Sequence, residues 1–244
     1  MRDRVWPDTA PPQLVVLSGA GISAESGLKT FRDGGGLWEG HDIHEVCDFT
    51  TWRRNFAAVH RFYNERRSAL ATAEPNPAHQ AVARWQSWWP THILTQNVDD
   101  LFERGGCRDV THLHGRLTGM MCLACEHDWE IGLTAWRAGE DACPMCKSTS
   151  DVKPAIVFFH ERAPAYVDLY QTLDSLRPSD VLLVIGTSGY VLPVGEFARW
   201  TPGFSVLNNL EPSEHIEESC FDHVLYQPAS TAVPDIEAIL QRRL

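Results

Sequence analysis

Two CxxC pairs, Cys122-Leu-Ala-Cys125 and Cys143-Pro-Met-Cys146, stand seventeen residues apart near the middle of the chain. Four thiolates at that spacing can wrap one zinc ion tetrahedrally, each CxxC turn presenting two sulfurs to the metal. A zinc with all four positions filled has none left to activate water. Its expected role is therefore structural, with ion binding supplying the folding energy of a module too small to bury a core of its own. The competing readings are two disulfides or a redox CxxC, and the paired spacing and the lack of an apolar h-region in residues 1–7 weigh against both. Cys47, Cys107 and Cys220 have no basic cluster or matched histidine at a readable spacing and are read as ordinary cysteines.

The 244 residues suit one large domain with an insert. A formal charge of −11 argues against a nucleic-acid binder, whose phosphate contacts need clustered lysine and arginine, and favours basic protein segments as partners. The longest apolar run, residues 181–185, is too short to cross a bilayer. The expectation is a soluble cytoplasmic protein with no membrane contact.

Short apolar runs at 14–17, 92–95, 156–159, 181–185 and 204–207 read as buried parallel strands, most of them ending in a polar or glycine-rich loop, with helical stretches between. That alternation predicts an α/β fold: a Rossmann-like doubly wound parallel sheet with its site at the strand tips. A large lobe is expected from about 1–37, 76–115 and 152–244. The helical, arginine-rich stretch of about 38–75 and the zinc module of about 116–151 are expected to form a smaller lobe, with Pro75-Asn-Pro77 marking the return to the sheet.

Behind the first strand stands Gly19-Ala20-Gly21-Ile-Ser23-Ala24, a glycine-rich turn of the kind that lets backbone amides approach a pyrophosphate. The acidic residue that usually follows about twenty positions later to take the ribose is missing, so the cofactor is expected to lie differently.

With Thr30-Phe31-Arg32, Thr95-Gln96-Asn97-Val-Asp99, His114-Gly115, the four cysteines, Gly186-Thr187-Ser188 and Asn209-Leu210-Glu211-Pro212, that loop resembles the sirtuins, the NAD-dependent protein-lysine deacylases, in family order across nearly the whole chain. The resemblance implies cleavage of the nicotinamide–ribose bond of NAD, attack of the acyl-amide oxygen on the anomeric carbon, and transfer of the acyl group to ADP-ribose. It makes His114 the base, an imidazole suited to take a proton from a ribose hydroxyl. It places Asp99 on the nicotinamide carboxamide, Asn97 on ribose or a water, and Gln96 on ribose hydroxyls. Gly19, Ala20, Gly21, Ser23 and Ala24, with Gly186, Thr187 and Ser188, hold the remainder of the co-substrate. Asn209, Leu210 and Glu211 lie at the adenosine ribose and Ala229 at the adenine. Phe31 and Arg32 belong to a segment that covers the cofactor, made mobile in composition by Gly34-Gly-Gly36, with Trp38 packing beneath it. His112 is read as structural and Asp100 as a solvated helix cap.

Tyr63 and Arg66, three apart on one helical face, resemble the pair with which one sirtuin subclass clamps the distal carboxylate of malonyl, succinyl or glutaryl chains. Val157 and Phe159 lie in the stretch that pairs with substrate as an added strand. In that stretch His160 stands where the family has glycine, and Gln227 replaces another common glycine before Pro228-Ala229. The expected function is NAD-dependent removal of acetyl, and of succinyl or malonyl, from lysine. The rivals are a mono-ADP-ribosyltransferase or NAD hydrolase, and a noncatalytic NAD-sensing module. Intact His114, Asn97 and Asp99 count against the last.

Overall fold

The computed structural model describes residues 10–30, 37–38 and 41–244. In chain order the elements are β1 (Leu14–Ser18), α1 (Gly21–Ala24), β2 (Leu37–Trp38), β3 (His41–Asp42), α2 (Ile43–Val46), α3 (Phe56–Thr72), α4 (Pro77–Trp88), β4 (Thr91–Thr95), α5 (Leu101–Arg104) and β5 (Val110–His112). There follow β6 (Gly115–Cys122), β7 (Asp128–Glu130), β8 (Val152–Ile156), α6 (Tyr166–Ser175), β9 (Val181–Ile185), α7 (Val194–Trp200), β10 (Phe204–Asn209), β11 (His223–Tyr226) and α8 (Ala229–Arg243).

Six strands form one parallel sheet in the order β11-β10-β9-β1-β4-β5. The chain builds outward from β1 on one side and then returns to start the other side at β9. This is the order of a doubly wound dinucleotide fold, with the switch point between β1 and β9. Helices α4 and α8 cover one face over Val16, Ile93 and Leu183, while α6 and α7 cover the other over Val15, Leu94 and Leu182. Burial on both faces is why these strands read as continuous apolar runs rather than alternating ones. Pro77 opens α4 under a capping box from Asn76 and His79, which ends the excursion sharply.

At the end of the sheet away from its carboxyl tips, Asp180 fixes the register. Its carboxylate accepts from the backbone and side chain of Gln13 and from the backbone and guanidinium of Arg177, and its carbonyl accepts from Phe204 N. One buried residue, through its side chain and its carbonyl, thus ties the starts of β1, β9 and β10.

A second sheet, β7-β6-β8, is antiparallel and carries the cysteine module. The run 156–159, expected as a parallel strand of the main sheet, is corrected here: the strand is Val152–Ile156 and it pairs antiparallel with β6. Residues past Ile156 leave the ladder, although Phe159 exchanges backbone bonds with Cys47 and Phe49. The apolar run misled because it is buried against α3, beside Phe62, Tyr63 and Leu70, rather than within the main sheet. Strands β5 and β11 were missed as short edge strands with only partial burial. Buried Arg67 ties α3 to β6 by donating to Leu117 O at 2.9 Å.

Candidate active site

A cavity of about 1060 Å³ opens at the carboxyl ends of β1, β4 and β9, over the switch point. It is lined from the first loop by Gly19, Ala20, Gly21, Ser23 and Ala24, and from the loop after β9 by Gly186, Thr187 and Ser188.

The two loops touch through bare backbone. A Cβ on Gly19 would sit 2.7 Å from Thr187 Cβ, one on Gly21 2.8 Å from Gly186 Cα, and one on Gly186, where φ is +66°, 2.3 Å from Ile22 N. Gly21 N donates to Gly186 O at 2.7 Å, so this amide is spent on the neighbouring loop. Close approach of one turn to the other is therefore the physical demand for these glycines. Asn209 seals the join: its Oδ1 accepts from Thr187 N at 3.0 Å and its Nδ2 donates to Thr187 O at 2.8 Å. Leu210 and Ala229 line the same end of the cavity, while Glu211 is exposed and outside the lining. Phe31 and Arg32 lie outside the described residues, as does the side chain of Trp38.

Past β4, Gln96 donates to Thr187 Oγ1 at 3.0 Å. Asn97 and Asp99 converge on Ser23 Oγ, which donates to Asp99 Oδ2 at 3.0 Å and accepts from Asn97 Nδ2 at 3.0 Å. A third partner of Ser23, His79, was not singled out from the sequence. Its Nδ1 accepts from Asn76 N at 3.3 Å, which leaves the proton on Nε2, 3.4 Å from Ser23 Oγ. Burial pushes His79 down to about 4, so the ring is neutral, and pushes Asp99 up to about 6 despite the bonds from Leu101 N and Ser23. The signal that could have found His79 is its place as the third residue of a capping box in Asn76-Pro77-Ala-His79.

Leu101 N donates to Asp99, not to Asp100, so the cap expected of Asp100 belongs to its neighbour, and Asp100 instead pairs with Arg104 at 3.6 Å. His112 bonds Asn97 O and Glu103 Oε1, both at 2.8 Å, and so stiffens the loop that presents Asn97. Burial pulls its titration down, but those bonds outweigh it and the net shift is upward.

His114 lines the cavity, with Nδ1 3.1 Å from Gln96 O and Nε2 2.9 Å from the hydroxyl of Tyr166, a residue sequence reasoning did not select. Burial lowers its titration below the usual imidazole value.

The opposite wall comes from the stretch after β8. Val157, Phe159 and His160 line the cavity, but Val157 N donates to His114 O and Phe159 N to Cys47 O. Those amides are already used, which leaves side chains rather than amides at these two positions to face a substrate. Beneath them Lys153, 2 % exposed, donates to Pro154 O, to Ile156 O at 2.6 Å and to Glu161 Oε2 at 3.2 Å, and stands over the Phe158 ring. Glu161 Oε2 also accepts from Phe158 N. His160 adopts φ +64°, in the region that favours glycine, and its Nδ1 meets Asp48 Oδ2 at 3.2 Å, an oxygen that also receives His44.

Arg66 lines the cavity with its guanidinium over the Phe62 ring. Tyr63 is wholly buried and stacked on Phe158, so the cavity reaches Arg66 but not its expected partner.

Cys122, Cys125, Cys143 and Cys146 bring their sulfurs within 4.8 Å of one another. The pairs at 3.5 and 3.7 Å are far too long for disulfides, which need about 2.05 Å, and close to the roughly 3.8 Å edge of a zinc–thiolate tetrahedron. The donor set fits a structural zinc.

A family model described as the Sir2 family matches residues 19–193. A protein of Helicobacter hepaticus named NAD-dependent protein deacylase is 43% identical, with 95% of this chain and 98% of that protein covered. One of Campylobacter jejuni with the same name is 44% identical, covering 91% and 93%. Among solved structures, an ADP-ribose complex of a Sir2 homologue mutant superposes with a TM-score of 0.81 at 31% identity, covering 95% of this chain and 94% of the other.

Proposed function

We infer the working of this site from one premise: the chain belongs to the Sir2 family and is an NAD-dependent protein deacylase. Its co-substrate is NAD, and the four-cysteine cluster is compatible with a structural zinc. The transferase, hydrolase and noncatalytic readings are set aside with it.

We propose that the pyrophosphate and nicotinamide ribose lie along Gly19, Ala20, Gly21, Ser23 and Ala24 and against Gly186, Thr187 and Ser188. Gln96, Asn97 and Asp99 hold the nicotinamide end, and Asn209, Leu210, Glu211 and Ala229 the adenosine. Phe31, Arg32 and Trp38 remain assigned to the covering segment. The nicotinamide–ribose bond breaks, the acyl oxygen attacks the anomeric carbon, and the acyl group passes to ADP-ribose. His114 receives the ribose proton at Nε2. Support comes from its place on the cavity wall and from Nδ1, whose proton is committed to Gln96 O, leaving the other nitrogen basic. Val157 and Phe159 contact the acyl-lysine. We assign the substrates as acyl-lysine proteins in the cytoplasm. No described helix is long and apolar enough to cross a membrane, and the negative charge disfavours nucleic acid. In the two-lobe division of the chain, NAD belongs to the larger lobe and the acyl chain to the boundary with the smaller.

Besides acetyl, we propose that the enzyme takes succinyl and malonyl groups. The observation that carries this is Arg66, a guanidinium on the cavity wall and partly desolvated there, placed to receive a distal carboxylate. Tyr63 joins it only if its buried ring turns toward the cavity. The test is turnover of matched acetyl-, malonyl- and succinyl-lysine peptides with NAD by the wild type and by Tyr63→Phe/Arg66→Met. Selective loss of succinyl and malonyl turnover is expected. Equal loss on all three peptides would remove the clamp, and nicotinamide release without deacylation would return the hydrolase.

A further inference from the structure

His114 has one neighbour whose chemistry the functional reading does not use. Tyr166 opens α6, half-buried among the residues packed on the α6–α7 face of the main sheet, and it lines the cavity. Its hydroxyl is 2.9 Å from His114 Nε2, and the two rings stand 5.9 Å apart at 47°.

Counting hydrogens fixes the direction of this bond. Nδ1 lies 3.1 Å from Gln96 O, and a carbonyl only accepts, so Nδ1 carries the ring proton. A neutral imidazole then offers a bare lone pair at Nε2, and the phenol must donate to it. Burial favours that neutral form, because the imidazolium loses more hydration than the neutral ring does. The lone pair engaged by Tyr166 is the same one through which a general base receives a proton. The phenol therefore stands where the substrate hydroxyl has to stand.

We propose that Tyr166 is a positioning residue for the base: its hydroxyl holds the place of the substrate hydroxyl on His114 Nε2 and keeps the ring in the one tautomer and orientation that can take the proton. The inference rests on the reading of His114 as that base. Gln96 O and Tyr166 hold the ring from two elements, the loop after β4 and the first turn of α6. Between them they leave neither ring nitrogen without a partner in the resting enzyme. During turnover the incoming hydroxyl replaces the phenol one for one, so the ring need not search for its orientation. No covalent bond to Tyr166 is made or broken.

The experiment uses the whole chain in three forms: wild type, Tyr166→Phe and His114→Ala. Tyr166→Phe keeps the packed ring and removes only the donor. Nitrogen NMR of histidine-labelled protein reads the tautomer, with His114→Ala assigning the signal, and steady-state kinetics with NAD and an acetyl-lysine peptide read kcat and both KM values. Expected for Tyr166→Phe are loss of the pure Nδ1–H signature, a fall in kcat of about five- to tenfold, and KM values within about twofold of wild type. A Phe variant with wild-type tautomer would overturn the inference whatever its kcat, and so would one with wild-type kcat. If His114→Ala is inactive, such a result touches Tyr166 alone. Undiminished turnover by His114→Ala would instead bring down the reading of the base itself, and the inference with it.

Discussion

The two walls of the cavity are built by different means. On the side proposed for the cofactor the loops after β1, β9 and β10 are joined mostly through backbone, with glycines where no side chain fits and Asn209 bonded to both backbone groups of Thr187. On the side proposed for acyl-lysine, the stretch after β8 is propped by side chains: Lys153 and Glu161 below, and Asp48 beside His160. Backbone joins tolerate few residue types and leave a motif. Side-chain props can be rebuilt from many sequences, which makes this wall the place where acyl and peptide preference can vary.

The sharpest way to break this contrast is to remove the metal expected in the cysteine module. Structural zinc sites contribute roughly 10–16 kcal/mol, as much as or more than the ~5–15 kcal/mol that holds a typical domain together. Metal analysis should give about one zinc per chain. Cys143→Ser or a chelator should unfold the module around Trp136, seen as loss of near-ultraviolet dichroism, with peptide turnover abolished. Retained dichroism and turnover without metal would refute the structural role.

Lys153→Met comes next. Leaving Glu161 without its buried partner should cost about 3–5 kcal/mol in denaturant unfolding. The KM for acyl-lysine peptide should rise several-fold while that for NAD holds. An equal rise in both would mean that the prop serves the whole site and not one wall. The reciprocal probe is Gly186→Ala, which forces a Cβ to 2.3 Å from Ile22 N at φ +66°. A loss of about 2–4 kcal/mol is expected, with the NAD KM suffering more than the peptide KM. The opposite ordering would dissolve the distinction.

The smallest effect is set by pH. Asp99 is raised from 3.8 to about 6 by burial, so folding favours its protonated form. That contribution is complete below the unfolded value and is lost as pH rises through about 6, a difference of at most about 3 kcal/mol. Asp99→Asn should therefore gain stability relative to wild type between about pH 4 and pH 7, read as the difference in Tm. A difference independent of pH would place Asp99 in a far more polar setting.

How much of this was readable in the sequence follows the same divide. The apolar runs at β1, β9 and β10 revealed the sheet because both its faces are covered, and the glycine turns revealed the switch point because nothing else fits there. The four cysteines gave the module by spacing alone. Hidden from view were His79 and Tyr166, whose importance lies in contacts to Ser23 and His114 across 56 and 52 residues. The misplaced run at 156–159 had the hydrophobicity of a sheet strand, and its burial against α3 could not be inferred from its own residues. Tyr63 was assigned by a pattern of spacing that says nothing of burial, and its ring is wholly enclosed against Phe158.

Asp180 carries a consequence for engineering. By locking the starts of β1, β9 and β10, it sets their alignment from the far end of the sheet, one strand length of roughly 16 Å from the tips. A slip by one residue would turn every buried side chain to the opposite face, and this anchor opposes such a slip without help from the tip loops. Segments beyond the tip glycines can thus be exchanged for longer or shorter ones, while Gly19 still arrives opposite Thr187.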